Sequence, residues 1–230
     1  MFRGASKFTS DLSQRDVSKV TDMMAMFQSA ANFNSDLSAW DTSKNTSLRV
    51  TFMGTQKFNS DLSSWDVSKV TDMRNTFNGA QVFESDLSQW DVSNVTSMIG
   101  MFGGTQKFTS DLSGWNTSKV TEMQNMFSSA TKFTGNVSTW DTSKVTNMSY
   151  MFFGASNFNG DLSAWDTSKV TDMQYMFYNA SNFNGNLSGW DVTKVTTMNA
   201  MFNNTALSTY NYNEILDKRS KQSVLSSVTL

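Results

Sequence analysis

One stretch of the sequence, Asp161 to Gly185, recurs with small changes from the first residue to about position 205. The copies lie 25 residues apart, and no insertion interrupts them. A fixed period of this length is typical of solenoids, in which each copy is one coil and neighbouring coils bury one another's apolar side chains. This feature constrains the fold more than chain length does, because a solenoid forms one domain of any length.

Apolar residues return at the same positions in every copy, and these columns predict the core. The first phenylalanine column is Phe2, Phe27, Phe52, Phe77, Phe102, Phe127, Phe152, Phe177 and Phe202. The second is Phe8, Phe33, Phe58, Phe83, Phe108, Phe133, Phe158 and Phe183. Further columns begin at Leu12, Val20, Met23 and Trp40. Since only these positions stay apolar throughout, we predict that they point inward. Asn45 interrupts the valine column, so we expect residues 41–52 to form the weakest coil.

The pattern inside one copy predicts two short elements. Asp-Leu-Ser places one apolar residue between two polar ones, which favours a very short strand. Val170, Met173, Phe177 and Ala180 follow at spacings of three and four, which favours a short helix or helical turn with one apolar face. The predicted fold class is therefore an α/β repeat, a leucine-rich-repeat-like solenoid of about nine coils.

The chain changes character after the last copy. We predict a solenoid over residues 1–206 and a C-terminal cap helix with a tail over residues 207–230. Ser208 is placed to cap the helix, with Tyr212, Ile215 and Leu216 on one face. The tail alternates weakly at Val224, Leu225, Val228 and Leu230, which allows a strand or a frayed end. The chain opens in the middle of a repeat, so we expect it to be a fragment of a longer protein.

Composition excludes several classes of function. The chain contains no histidine and no cysteine, which removes His-dependent triads, thiolate chemistry and most zinc sites. Its formal net charge of −2 argues against nucleic acid or an anionic membrane as a partner. No apolar run has membrane-spanning length. With no unique polar cluster either, we predict no catalysis, no cofactor and no membrane insertion.

Two regular polar columns allow other interpretations. The first carboxylate column is Asp11, Asp36, Asp61, Asp86, Asp111 and Asp161, and the second is Asp16, Asp41, Asp66, Asp91, Asp141, Asp166 and Asp191. Calcium shared between coils is one hypothesis, and local turns in which each Asp accepts backbone N–H bonds are the favoured one. The columns Ser13 through Ser188 and Thr21 through Thr196 allow ice or mineral binding, which the alternating charged Asp residues disfavour.

The motif WDxSKVTxMxxMFxxAxxFNxDLS, as in Trp165 to Ser188 with Asn at position 186, resembles the BspA-like leucine-rich repeats of bacterial and mycoplasmal surface proteins. The resemblance covers about residues 1–205 and recurs in each coil. It implies a cell-surface or secreted protein that adheres to a protein or glycan on a host or neighbouring cell. The alternative is a structural spacer, or a fibre subunit that self-associates through open sheet edges.

One group of residues stands out where the copies disagree. Tyr150 and Phe153 in one coil, and Tyr175 and Tyr178 in the next, replace the small or polar residues found at most of these positions elsewhere. Counterparts lie 25 residues apart, so we predict that the four rings form one exposed patch. Exposed aromatic patches mark surfaces that bind partners or sugars. The alternative is that the rings shield the turns beneath them or pack against a neighbouring molecule.

Overall fold

A computed structural model describes residues 1–222 of the chain. Within these residues the only α-helix is α1, Thr209–Ser220, and no β-strand is present. The rest of the described part consists of turns, bends and isolated parallel bridges between successive repeats. The short strand and the short helix expected in each repeat are therefore both wrong, although the repeats do lie against one another.

Successive repeats stack through their aromatic side chains. Rings of the first phenylalanine column lie 5.5–6.0 Å apart between neighbouring repeats, centroid to centroid. Within a repeat, Phe102 stacks on Phe108 at 4.1 Å. Trp115 stacks on Trp140 of the next repeat at 6.2 Å. The aromatic residues therefore form continuous columns along the stack, in offset arrangements that stabilise ring pairs.

The strand expected at Asp-Leu-Ser does not form, because side chains take the place of backbone partners there. The Leu37 N–H donates to the hydroxyl of Ser60 in the next repeat (2.7 Å), and the Ser38 N–H donates to the carboxylate of Asp36 (2.9 Å). The turn at Asp36 bends the chain before a ladder of carbonyl bonds develops. The parallel bridges occur elsewhere in the repeat, at Ser47, Asp72, Ser97, Glu122, Asn147, Asp172 and Thr197.

The expected helix is replaced by a run of tight turns. The Met176 N–H donates to the Met173 carbonyl three residues back (3.2 Å), whereas the Tyr175 N–H donates to Asn199 in the next repeat (2.9 Å). Tyr175 and Asn179 have positive φ values of 55° and 59°, which a right-handed helix excludes. Alternate amides thus leave the repeat to join its neighbour. A ten-residue helix is marginal by itself, so these bonds between repeats prevail.

The inward direction of the apolar columns is confirmed. Phe102, Phe108 and Leu112 have no exposed surface, and Trp115 is 3% exposed. The indole N–H of Trp115 donates to the carbonyl of Leu87 (2.9 Å), and the equivalent bond recurs from Trp40 to Trp190. The first repeat is less covered, since Phe2 and Phe8 are half-buried.

Asn45 is buried in the valine column, as the sequence predicts. Its side-chain oxygen accepts the N–H of Ser47 (3.1 Å). Its Nδ2 is buried and has no hydrogen-bond partner among residues 1–222. An unpaired buried donor costs about 1–3 kcal/mol. This cost is the physical reason to expect the weakest coil at residues 41–52.

The predicted cap helix is present, but it covers the last repeat with fewer apolar residues than expected. Ser208 caps α1, since its hydroxyl accepts the N–H of Asn211 (3.2 Å). Ile215 is buried, whereas Tyr212 and Leu216 are 38% and 37% exposed. Polar bonds complete the attachment: the Asn211 amide donates to the Asn184 carbonyl (2.8 Å), and the Gln222 amide donates to the Trp190 carbonyl (2.8 Å). The strand considered for Val224, Leu225, Val228 and Leu230 lies outside the described residues.

Candidate functional site

The run of tight turns gives each repeat an outer face that differs between copies. In one repeat, Met173, Met176 and Phe177 are buried, while Gln174, Tyr175 and Tyr178 are half-buried and Asn179 is exposed. We call these last four positions and their copies the variable face. The backbone bonds between repeats hold neighbouring copies in register. Side chains of one column therefore lie side by side along the stack.

The variable face brings the four predicted aromatic residues together. Tyr150 stacks on Tyr175 at 5.0 Å, and Phe153 stacks on Tyr178 at 5.2 Å. Across the two columns, Tyr150 and Phe153 lie 5.8 Å apart, and Tyr175 and Tyr178 lie 5.6 Å apart in an edge-on arrangement. We call these four residues the aromatic cluster. All four are half-buried. They share a face because of the tight turns, and not because of the helix that the spacing suggested.

Two of the four rings stand at strained backbone positions. Tyr150 and Tyr175 have φ values of 57° and 55°. Bulky residues rarely adopt this left-handed conformation, and each such residue costs of order 1–3 kcal/mol. The same column holds Asn75 and Gly100, which adopt it readily. Large rings thus occupy positions where small residues suit the fold better.

A polar cleft of about 350 Å³ lies on the same face, and sequence reasoning missed it. Its lining consists of Asn75, Asn78, Ile99, Gly103, Gly104, Asn125, Ser128 and Ser129. Glycine is required at its floor, because a Cβ at Gly100 would lie 2.3 Å from the Asn75 side-chain oxygen. A Cβ at Gly103 would lie 2.7 Å from the Asn78 side-chain nitrogen. The signal in the sequence is the replacement of larger residues by Gly100 and Gly103 in one repeat only.

The aspartate columns form local turns. In the first column, the N–H of the serine two residues later is the main cause that lowers the pKa of Asp11, Asp36, Asp61, Asp86 and Asp161. In the second, the hydroxyl two residues later is the main cause that lowers the pKa of Asp16, Asp41, Asp66, Asp91, Asp141, Asp166 and Asp191. Within residues 1–222, no group of three or more acidic side chains is arranged to hold a metal ion. The carboxylates thus have the turn-forming role that the sequence favoured.

These turns predict that acid destabilises the protein. Because folding lowers the aspartate pKa values, the stabilisation is present above the unfolded-state pKa near 4 and is lost as the pH falls through the folded-state values. We expect the melting temperature to be constant from about pH 7 to pH 5 and to fall below about pH 4.

Asparagine provides a matched control for this pH dependence. Asn136 and Asn186 occupy the first aspartate column and accept the same backbone bond, at 2.9 Å in each case. Changing Asp11, Asp36, Asp61, Asp86 and Asp161 to Asn should keep the turns and make the acid-induced loss shallower. An unchanged pH profile in thermal melts of this variant would contradict the assignment.

The exposed threonine column is tied to the backbone. The Thr46 hydroxyl donates to the Thr21 carbonyl (3.0 Å), and the Thr96 hydroxyl donates to the Thr71 carbonyl (3.1 Å). The same bond occurs along the column to Thr196. These hydroxyls have fixed directions, but charged lysines such as Lys69 lie two residues away in the sequence and are also exposed. The ice- or mineral-binding hypothesis stays a prediction.

Stacked copies, a shared core and a face that varies between copies define a tandem-repeat protein. Three overlapping stretches, residues 1–115, 46–139 and 96–215, match the family described as Mycoplasma protein of unknown function, DUF285. Together they span most of the chain, which belongs to this repeat family. No curated protein and no solved structure matches the chain. Within the described residues, no helix combines the length and the apolar character that crossing a membrane requires.

Proposed function

We propose that the chain is a non-catalytic recognition module of a cell-surface or secreted protein, built as a leucine-rich-repeat-like solenoid of the BspA-like kind. It adheres to a protein or glycan on a host or neighbouring cell. The aromatic cluster is the observation that carries this proposal. Four half-buried rings on a face that is otherwise polar match the aromatic enrichment of binding surfaces.

The stacked architecture supports this role in two ways. The continuous core fixes the repeats in register, so the variable face is held rigid, and rigid sites lose less entropy on binding. The strained φ values of Tyr150 and Tyr175 also favour a role for their rings outside folding, because unstrained Asn or Gly occupies the same column in other repeats.

Bead adhesion tests the proposal. Beads coated with the chain are incubated with cultured epithelial cells, and bound beads are counted. The double variant Tyr150→Ser with Tyr175→Ser should keep its melting temperature within a few degrees and lose at least about tenfold in adhesion, as expected for aromatic anchors. The matched control is Val50→Ser with Ala200→Ser, which alters the same column in other repeats and should adhere normally.

Three outcomes would contradict the proposal. Adhesion by the tyrosine variant at the level of the unmodified chain would exclude the cluster as the site. A fall of many degrees in melting temperature with unchanged adhesion would assign the rings to the core. No adhesion by the unmodified chain, together with concentration-dependent growth of its assemblies in size-exclusion chromatography, would favour the fibre-subunit alternative.

A further inference from the structure

The polar cleft continues directly into the aromatic cluster. Asn125 and Ser129 line the last repeat of the cleft. The Asn125 N–H donates to the Ser149 carbonyl (3.0 Å), and the Ser129 N–H donates to the Phe153 carbonyl (2.6 Å). The repeat that carries Asn125 thus lies next to the one that carries Tyr150 and Phe153. From Asn75 to Tyr175 the face spans four repeat steps of about 5 Å each, or about 20 Å.

The two asparagines at the start of the cleft are held in place by each other. The Asn78 side-chain nitrogen donates to the Asn75 side-chain oxygen (3.0 Å) and to the Gly100 carbonyl (3.3 Å). Both hydrogens of the Asn78 amide are therefore used. The Asn75 amide nitrogen and the Asn78 amide oxygen make no hydrogen bond with any residue in the described part of the chain. The pair presents a fixed donor beside a fixed acceptor.

This combination suits hydroxyl groups. A hydroxyl both donates and accepts, so two neighbouring hydroxyls of a ligand satisfy an adjacent amide donor and acceptor. Asn125 and Ser128 add further neutral polar groups along the cleft. Because Gly100 and Gly103 have no side chains, a ligand reaches the backbone at the cleft floor.

The charge of the lining narrows the ligand further. All eight lining residues are neutral: Asn75, Asn78, Ile99, Gly103, Gly104, Asn125, Ser128 and Ser129. A charged ligand would lose hydration here without meeting an opposite charge, which is unfavourable. A purely apolar ligand would leave the two amides unpaired.

The aromatic cluster supplies the apolar half of the site. Tyr150 has one ring face against Tyr175, and its neighbour in the column on the cleft side is Asn125, a much smaller side chain. Aromatic rings provide flat apolar surface, and a polar rim gives orientation. The apolar C–H face of a sugar ring fits such a surface, while its hydroxyls meet the amides.

We propose that the polar cleft and the aromatic cluster together form one elongated site for a neutral oligosaccharide. The chain of sugar rings lies along the stack of repeats, with hydroxyls on Asn75 and Asn78 and a ring against Tyr150. This inference rests on the proposed function and narrows its ligand to uncharged glycans.

Titration calorimetry with defined glycans tests the inference on the full chain. The probes are maltohexaose, cellohexaose, laminarihexaose and chitohexaose, with heparin and hyaluronan as charged comparators. At least one neutral hexasaccharide should bind, and heparin and hyaluronan should not. The variant Asn75→Ala with Asn78→Ala should lose at least about tenfold in affinity for that hexasaccharide, as should Tyr150→Ser with Tyr175→Ser.

The alanine variant is expected to fold, because Ala25 and Ala200 adopt positive φ in the same column as Asn75. Its melting temperature is measured to check this. Gln28→Ala, in the column of Asn78 but two repeats away, is the matched control and should bind as the unmodified chain does.

The outcomes separate the two proposals. If cell adhesion depends on the tyrosines and no neutral hexasaccharide binds, the glycan inference is wrong and the recognition module stands. Binding of the charged polymers alone, or full affinity in the asparagine variant, would also overturn the inference. Loss of both adhesion and glycan binding in the tyrosine variant, with glycan binding also lost in the asparagine variant, supports both.

Discussion

Replacing Phe102 with alanine is expected to lower the free energy of unfolding by about 3–5 kcal/mol, as for other large-to-small changes in cores. Phe102 has no exposed surface, and its ring stacks on Phe108 at 4.1 Å. It also stacks on Phe77 at 5.8 Å and on Phe127 at 5.6 Å, so its removal leaves a gap between three repeats. Chemical denaturation with a circular dichroism readout measures the change.

Phe2→Ala is the matched control for this prediction. Phe2 belongs to the same column but is half-buried and meets only Phe8 and Phe27. Its loss should cost clearly less than that of Phe102, since burial sets the cost of truncation. A loss below about 1 kcal/mol for Phe102→Ala would mean that the column does not form the core.

Replacing Trp115 with phenylalanine is expected to cost about 1–3 kcal/mol, from two sources. The change removes the indole N–H bond to the Leu87 carbonyl (2.9 Å), and the smaller ring leaves a void beside Phe102 and Trp140. The carbonyl keeps one partner, the N–H of Trp90 (3.1 Å), so it is not left wholly unpaired. This second bond keeps the expected cost below that of Phe102→Ala.

The same denaturation experiment measures the tryptophan variant, with Gln14→Ala on the exposed surface as the reference. The reference should change stability by less than about 0.5 kcal/mol. If Trp115→Phe matches the reference, the indole bond contributes nothing and the tryptophan column acts only as filler. Since the bond recurs in seven tryptophans, that result would apply to the whole stack.

The candidate site was predictable only in part. The aromatic cluster is visible in the sequence, because its members interrupt regular columns at intervals of 25 residues. The cleft is not, since Asn75, Asn78 and Gly100 are ordinary surface residues until the fold places them in adjacent repeats. The strain at Tyr150 and Tyr175 was hidden too, because it depends on a backbone conformation that the spacing did not indicate. The domain division at residues 206 and 207 stays a prediction.

The sequence by itself determined the period, the buried columns, the aspartate turns and the position of α1. Each follows from information inside one copy, or from the repetition of copies. Only the tertiary structure decided the backbone conformation between Val170 and Ala180. A helix and a run of tight turns both point every third or fourth residue inward, so periodicity does not separate them. The choice depends on where the amides find partners, and the Tyr175 N–H finds its partner in the next repeat.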